Sequence, residues 1–196
     1  MRLYLLETNK IYKFNLPIKV DGSFLFSYKD AKNKIENILN VEEFNGSWKL
    51  KSNGNVNIFL NGNVMPDMVL QDYGCVSLRI GSNLEDKYLF CLPSNDKNVS
   101  KYEIGNVTSL SIGSGAACNI IYTNSLTSEK HLGIEFDNGE YYAVPVNDAK
   151  ICSYLNDERI IRREKLHVGD ILFVNGLKIV WMRRFVVINS SCGGVK

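Results

Sequence analysis

Ser128 and His131 stand three residues apart in the run Ser125-Leu126-Thr127-Ser128-Glu129-Lys130-His131. The imidazole of His131 could act as a catalytic base, but no nearby carboxylate and nucleophile pattern supports a triad. His131 is therefore expected to brace the loop after Ser128. His167, the other histidine, precedes an apolar run and reads as a surface residue. Ile112-Gly113-Ser114-Gly115-Ala116 has the glycine content of a phosphate cradle. A P-loop requires a Lys after its second glycine and a helix behind it, and neither follows here. A third candidate is the basic cluster Arg159, Arg162, Arg163 and Lys165, extended in sequence by Arg183 and Arg184. Such a patch suits acidic lipid, nucleic acid or an acidic protein surface. Asp157, Glu158 and Glu164 interrupt it and stacking aromatics are sparse, so a solvated loop face is expected. The cysteines, at 75, 91, 118, 152 and 192, include no C-x-x-C pair, and they read as reduced thiols with no metal. No catalytic residue, metal or cofactor is expected, and the chain reads as a non-enzyme.

The chain that carries these residues has 196 of them, 45% hydrophobic and 22% charged, with a formal net charge of +2. Those values fit a folded globular protein and exclude a charged disordered one. The near-neutral balance gives no overall pull toward nucleic acid, and no nucleic-acid partner is expected. The N-terminus lacks a signal-like apolar stretch, and no run reaches the roughly 18 apolar residues of a spanning helix. A cytoplasmic location is expected.

Turn dipeptides punctuate the sequence: Asp21-Gly22, Asn45-Gly46, Asn53-Gly54, Asn61-Gly62, Asn138-Gly139 and Asn175-Gly176. These pairs supply the positive φ angles of tight hairpins. Between them lie short β-branched and aromatic runs such as Val56–Leu60, Tyr141–Val144 and Ile171–Val174. The pattern predicts an all-β protein of antiparallel sandwich type. Asp30 to Leu39 carries apolar residues at helical spacing and fits helix or strand equally. Phe59-Leu60-Asn61-Gly62 aligns with Tyr154-Leu155-Asn156-Asp157, and the flanking strands echo one another at an offset of about 95 residues, which predicts two copies of one fold. The expected domains are 1–85 and 86–188. The second opens on Phe90-Cys91-Leu92-Pro93, and 189–196 forms a tail or linker. Trp48 and Trp181 are expected core anchors.

The second copy has a recognisable motif order. Ile112-Gly113-Ser114 comes first, then Cys118-Asn119-Ile120, then Ser128-Glu129-Lys130-His131. Ile151-Cys152-Ser153-Tyr154-Leu155-Asn156-Asp157 follows, and Leu166-His167-Val168-Gly169-Asp170-Ile171 closes it. This order resembles the forkhead-associated (FHA) family, with its I-G-R, S-x-x-H, N-G-T and L-x-x-G-D motifs. The resemblance implies two tandem FHA-like β-sandwiches, the first more divergent, and loops that bind phosphothreonine peptides. The family positions for that site fall on Ser114, Ser128, Lys130, His131 and Ile151. Ser114 stands where the family has Arg, and Ile151 and Cys152 where it has Asn and Gly. Lys130 is the substitute cation, without bidentate geometry. The site therefore reads as degenerate, and a phosphothreonine peptide is not the expected partner. Tandem domains of this kind resemble the cytosolic N-terminal region of FtsK-like membrane ATPases of type VII secretion, the EssC/YukB family. That resemblance implies a regulatory, protein-binding module whose partner is a secretion component or the ATPase region of its own membrane-anchored parent. The alternative is a genuine phosphothreonine-peptide reader.

Overall fold

Three Asn-Gly steps form two-residue hairpins. Asn45 and Gly46 take φ angles of 50° and 78°, Asn138 and Gly139 50° and 85°, and Asn175 and Gly176 48° and 94°. Two successive left-handed residues make the type I′ turn, whose twist matches that of paired strands. Asn156 and Asp157 do the same without glycine, at 49° and 69°. Asn53-Gly54 differs: the Asn53 side chain accepts from the Asn55 amide, an Asx turn closed by pairing of Asn53 with Val56. Asp21, Asn61 and Gly62 lie outside the described residues.

The computed structural model describes residues 1–7, 10–17, 22–29, 35–60, 63–81, 86–93 and 99–189. The chain divides into two units, Met1–Asn95 and Asp96–Lys196. The first contains β1 (Arg2–Leu6), β2 (Ile11–Asn15), β3 (Ser23–Lys29), β4 (Ile35–Phe44), β5 (Ser47–Lys51), β6 (Val56–Leu60), β7 (Asn63–Met65), β8 (Asp67–Val69), β9 (Cys75–Ile80) and β10 (Lys87–Leu92). The second contains β11 (Val99–Glu103), β12 (Ser109–Gly113), β13 (Ile120–Ile121), β14 (Leu132–Asp137), β15 (Glu140–Pro145), β16 (Tyr154–Leu155), β17 (Glu158–Arg159), β18 (Glu164–Lys165), β19 (Ile171–Val174), β20 (Leu177–Trp181) and β21 (Phe185–Asn189). The chain is all-β, and the segment open to helix or strand is strand from Ile35 onward. Residues 30–34 lie outside the described residues.

Each unit is built from two sheets. In the first they run β2-β1-β10-β9-β6-β7 and β3-β4-β5-β8. In the second they run β11-β21-β20-β19-β16-β17 and β13-β12-β14-β15-β18. Position by position the orders correspond, apart from the extra β13. Alternation drives each sheet onto its own core: β9 and β19 bury every second residue. One core gathers Leu3, Val41, Trp48, Leu50, Ile58 and Leu78, the other Ile112, Ile134, Ala143, Leu172, Ile179 and Trp181. Both tryptophans are core residues, and Trp181 meets the Tyr141 ring edge-on at 5.0 Å.

The boundary differs from the expected one. Lys87–Leu92 does not open the second unit. It pairs with β1 on one side and β9 on the other, so it closes the first unit's sheet. The division falls after Asn95 instead of near residue 85. In the second unit, the place that β1 holds in the first is taken by the C-terminal β21, between β11 and β20. The cause is economy of pairing: a strand spent on one sheet cannot complete another.

Candidate functional site

The motif loops of the second unit converge because its backbone packs closely there. Residues 112–115 run against 128–129. The Ser114 amide donates to the Ser128 carbonyl and the Gly115 amide to that of Glu129, both at 2.9 Å. A Cβ built on Gly113 would overlap the Glu129 carbonyl oxygen, so this approach requires glycine. Cys118 Sγ reaches the same carbonyl at 3.0 Å, and Asn119 Oδ1 accepts from the Ser111 amide at 2.8 Å. Both contacts hold the 114–119 turn in place.

Ser114 and Ser128 are brought together, but their hydroxyls are engaged. Ser114 Oγ donates to the Thr127 carbonyl at 3.1 Å. Its single proton is thus used inside the loop and is not offered outward. Ser128 Oγ accepts from the Lys150 amide at 2.8 Å, and Lys150 Nζ donates to the Ser125 carbonyl at 3.3 Å. Lys150 is a neighbour that motif reading missed. Only the fold shows that residues 146–153 return to Ser128, and the clue in the sequence was its place next to the Ile151 slot. Lys130 Cε lies 3.8 Å from where a Cβ on Gly133 would sit, at the start of β14. Thr127 is also buried, with its Oγ1 accepting from Asn175 Nδ2 at 3.1 Å.

His131 is 1% exposed. Its backbone amide donates to the Ile112 carbonyl at 2.8 Å, and its Nδ1 accepts from the Ser128 amide at 3.1 Å. These two bonds tie it to the Ile112 and Ser128 backbone, with the ring proton on Nε2. Burial pushes the imidazole below its ordinary range, and the nearby Ile151 backbone partly restores it. The hydroxyl of Ser153, which is 5% exposed, has no hydrogen-bond partner among the described residues. Ile151, the third loop position, lines a cleft of about 200 Å³ with both of them.

The basic cluster is largely paired. Arg162 meets Glu164 at 3.1 Å, Arg163 meets Asp137 at 2.8 Å, and Lys165 meets Glu140 at 3.1 Å. Arg183 donates to the Gly139 carbonyl at 2.8 Å. Asp137 and Glu140, distant in sequence, thus supply two of the three acidic partners. Arg159 has no ion pair among the described residues and lines the same cleft as Ile151. His167 is exposed, 3.7 Å from Asp170. Burial pushes the Cys91 thiol far up, which leaves it protonated and unreactive. Among the described residues no His, Cys, Asp or Glu cluster is arranged to hold a metal ion. Nor is any helix among them long and apolar enough to cross a membrane.

Residues 110–175 match the FHA domain family model, so the second unit carries an FHA domain. No curated protein matches the chain. Among solved structures, the chain is similar along its whole length to the N-terminal FHA domain from EssC, a component of the bacterial type VII secretion apparatus. The identity is 13% and the TM-score 0.45, covering 100% of this chain and 94% of that one. The FHA-2 domain of a Mycobacterium tuberculosis ABC transporter is 17% identical at TM-score 0.37, covering 43% and 78%. The FhaA FHA domain, solved in complex with the intracellular domain of Rv3910, is 16% identical at TM-score 0.35, covering 46% and 98%.

Proposed function

We propose that this chain is a non-catalytic protein-interaction module whose FHA unit lacks a working phosphothreonine pocket. The observation that carries this reading is the Ser114 hydroxyl, turned inward onto the Thr127 carbonyl where an FHA arginine would reach out. A phosphate dianion needs charge-assisted donors, ideally a bidentate guanidinium. Ser114 has its proton committed to Thr127, Ser128 offers one neutral hydroxyl, and Ile151 is apolar, so none supplies a cation. In line with the sequence resemblance to EssC/YukB-type ATPases, the module serves beside such a secretion ATPase, at the cytosolic face of the membrane. It would meet a secretion component or the ATPase region through its folded surface.

One observation favours the second reading, a phosphopeptide reader: Lys150 sits against Ser128 and brings an ammonium group to the loop. Calorimetry with a phosphothreonine peptide library separates the two. The expected result is no specific binding tighter than roughly millimolar, since losing an arginine and an asparagine costs two to three decades at about 1.4 kcal/mol each. Ser114→Arg combined with Ile151→Asn should tighten binding. Micromolar binding by the unaltered chain, abolished by Ser128→Ala, would establish the phosphopeptide reader instead.

A further inference from the structure

Among the described residues, β3 is the longest edge strand of the four sheets and pairs on one side only, with β4. Its place in the second unit is held by β12, whose outer side is covered. There β13 pairs with Ile112 and Gly113, and Asn119 Oδ1 accepts from the Ser111 amide. In the first unit, the Glu43 amide donates to the Gly22 carbonyl at 2.9 Å. Bonds in an antiparallel ladder come from alternate residues, so β3 reaches β4 through Gly22, Phe24 and Phe26. The backbone N–H and C=O of Ser23 and Leu25 therefore point away from β4. Such a row is a template for another strand. The irregularity of this pair falls on β4, where Ile38 has no opposite number, so β3 keeps its alternation.

The residue order says which strand fits. Ser23-Phe24-Leu25-Phe26-Ser27 reads the same in both directions and carries neither charge nor proline. Antiparallel pairing with a second copy, centred on Leu25, sets Leu25 against Leu25. It also sets each Phe24 against the Phe26 of the other copy, and aromatic pairs of this kind stabilise neighbouring strands. Phe24 and Phe26 pack on the core with their rings 6.3 Å apart, yet both stay partly exposed. Leu25, on the opposite face, is 58% exposed. The pairing covers all three. The sequence is charge-complementary about the same centre: Asp21 and Lys29 stand four residues to either side of Leu25.

We infer that the free edge of β3 binds β3 of a second copy of this chain, antiparallel and centred on Leu25. The strand has 7 residues. That is well short of the roughly 20–30 a side in a standard interface, so the dimer forms reversibly and at high protein concentration. The inference does not depend on the loops of the FHA domain, and its failure would leave the proposed function untouched.

The test is sedimentation equilibrium of the full chain over a concentration series, with amide hydrogen exchange on the same samples. A monomer–dimer equilibrium is expected. The Leu25 amide should gain protection as concentration rises, while the Phe24 amide, already bonded to β4, should not change. Leu25→Lys or Leu25→Glu alters an exposed side chain outside the core and sets like charges against each other across the pair. Each should weaken the dimer at least about tenfold. An equimolar mixture of the two variants should dimerise again, because position 25 then faces its opposite charge. Dimerisation indifferent to either variant, or no recovery in the mixture, would overturn the proposal. So would a monomer up to roughly millimolar concentration, which would leave the edge to a strand of another protein.

Discussion

The two units share a scaffold and differ in their loops. Corresponding strands β4–β5 and β14–β15 are joined by the same Asn-Gly hairpin, at 45–46 and 138–139. The connections at the other end of those strands are unequal. In the first unit, residues 30–34 join β3 to β4, and 52–55 join β5 to β6. In the second, residues 114–131 join β12 to β14 by way of β13, and 146–153 join β15 to β16. Ser114, Ser128, His131, Lys150 and Ile151 all lie in those longer connections. The positions expected to form the site therefore lie on the longer connections, and the sheets beneath set their positions. The units also differ in how they close their sheets: the first uses its N-terminal strand and the second its C-terminal one.

The comparison is most sharply broken at the strand that each unit uses to close. A fragment ending at residue 85 lacks β10, which splits the sheet between β1 and β9 and leaves Leu89 and Cys91 missing from the core. It should show no cooperative unfolding by circular dichroism, whereas a fragment ending at residue 95 should fold. In the same way, 96–184 should fail and 96–189 should fold, because β21 contributes Val186 and Ile188 to the second core. If 1–85 folded cooperatively, the assignment of β10 to the first unit would be wrong.

The next effect concerns loop packing. Gly113→Ala forces a methyl group onto the Glu129 carbonyl and should destabilise the second unit by about 1–3 kcal/mol, as overpacking does. Gly22→Ala, in the first unit, meets open space but carries a φ of 79°, so its cost is backbone strain alone. Chemical denaturation of both variants compares them, and a neutral Gly113→Ala would contradict the close approach of the two loops.

A smaller effect is pH-dependent. The His131 imidazole is held below its ordinary value of 6.5, so the folded state binds fewer protons than the unfolded one near that pH. Its contribution to stability is complete above about pH 6.5 and declines as pH falls below it. Melting temperatures from pH 8 down to 5 should fall at the acidic end for the unaltered chain, and less so for His131→Gln. Equal slopes for the two would show that the imidazole titrates normally.

The smallest effect is expected at the basic face. The Arg163–Asp137 pair is exposed on both sides, at 42% and 45%, and such pairs contribute at most about 1 kcal/mol. Arg163→Ala should change stability within that bound, read by urea titration. A larger loss would mean the cluster has a structural role.

The sequence by itself determined the β class and the hairpins, because both are local. Asn-Gly at 45–46, 138–139 and 175–176 encodes its own turn through backbone preferences of two residues. Alternation in strands such as Cys75–Ile80 encodes a buried face. The FHA motif order assigned Ser114, Ser128 and Ile151 to one expected site, and strand positions assigned Trp48 and Trp181 to cores, where both lie buried. What only the tertiary structure decided is non-local. Lys87–Leu92 is equally apolar whether it closes one sheet or opens another, and its allegiance depends on which edges remain unpaired. Lys150 met Ser128, and His131, Ser153 and Arg159 came to line one cleft, only because loops distant in sequence fold back together. Burial then shifted the imidazole's titration downward. These outcomes depend on the geometry of the packed loops, which residue types and spacing do not carry.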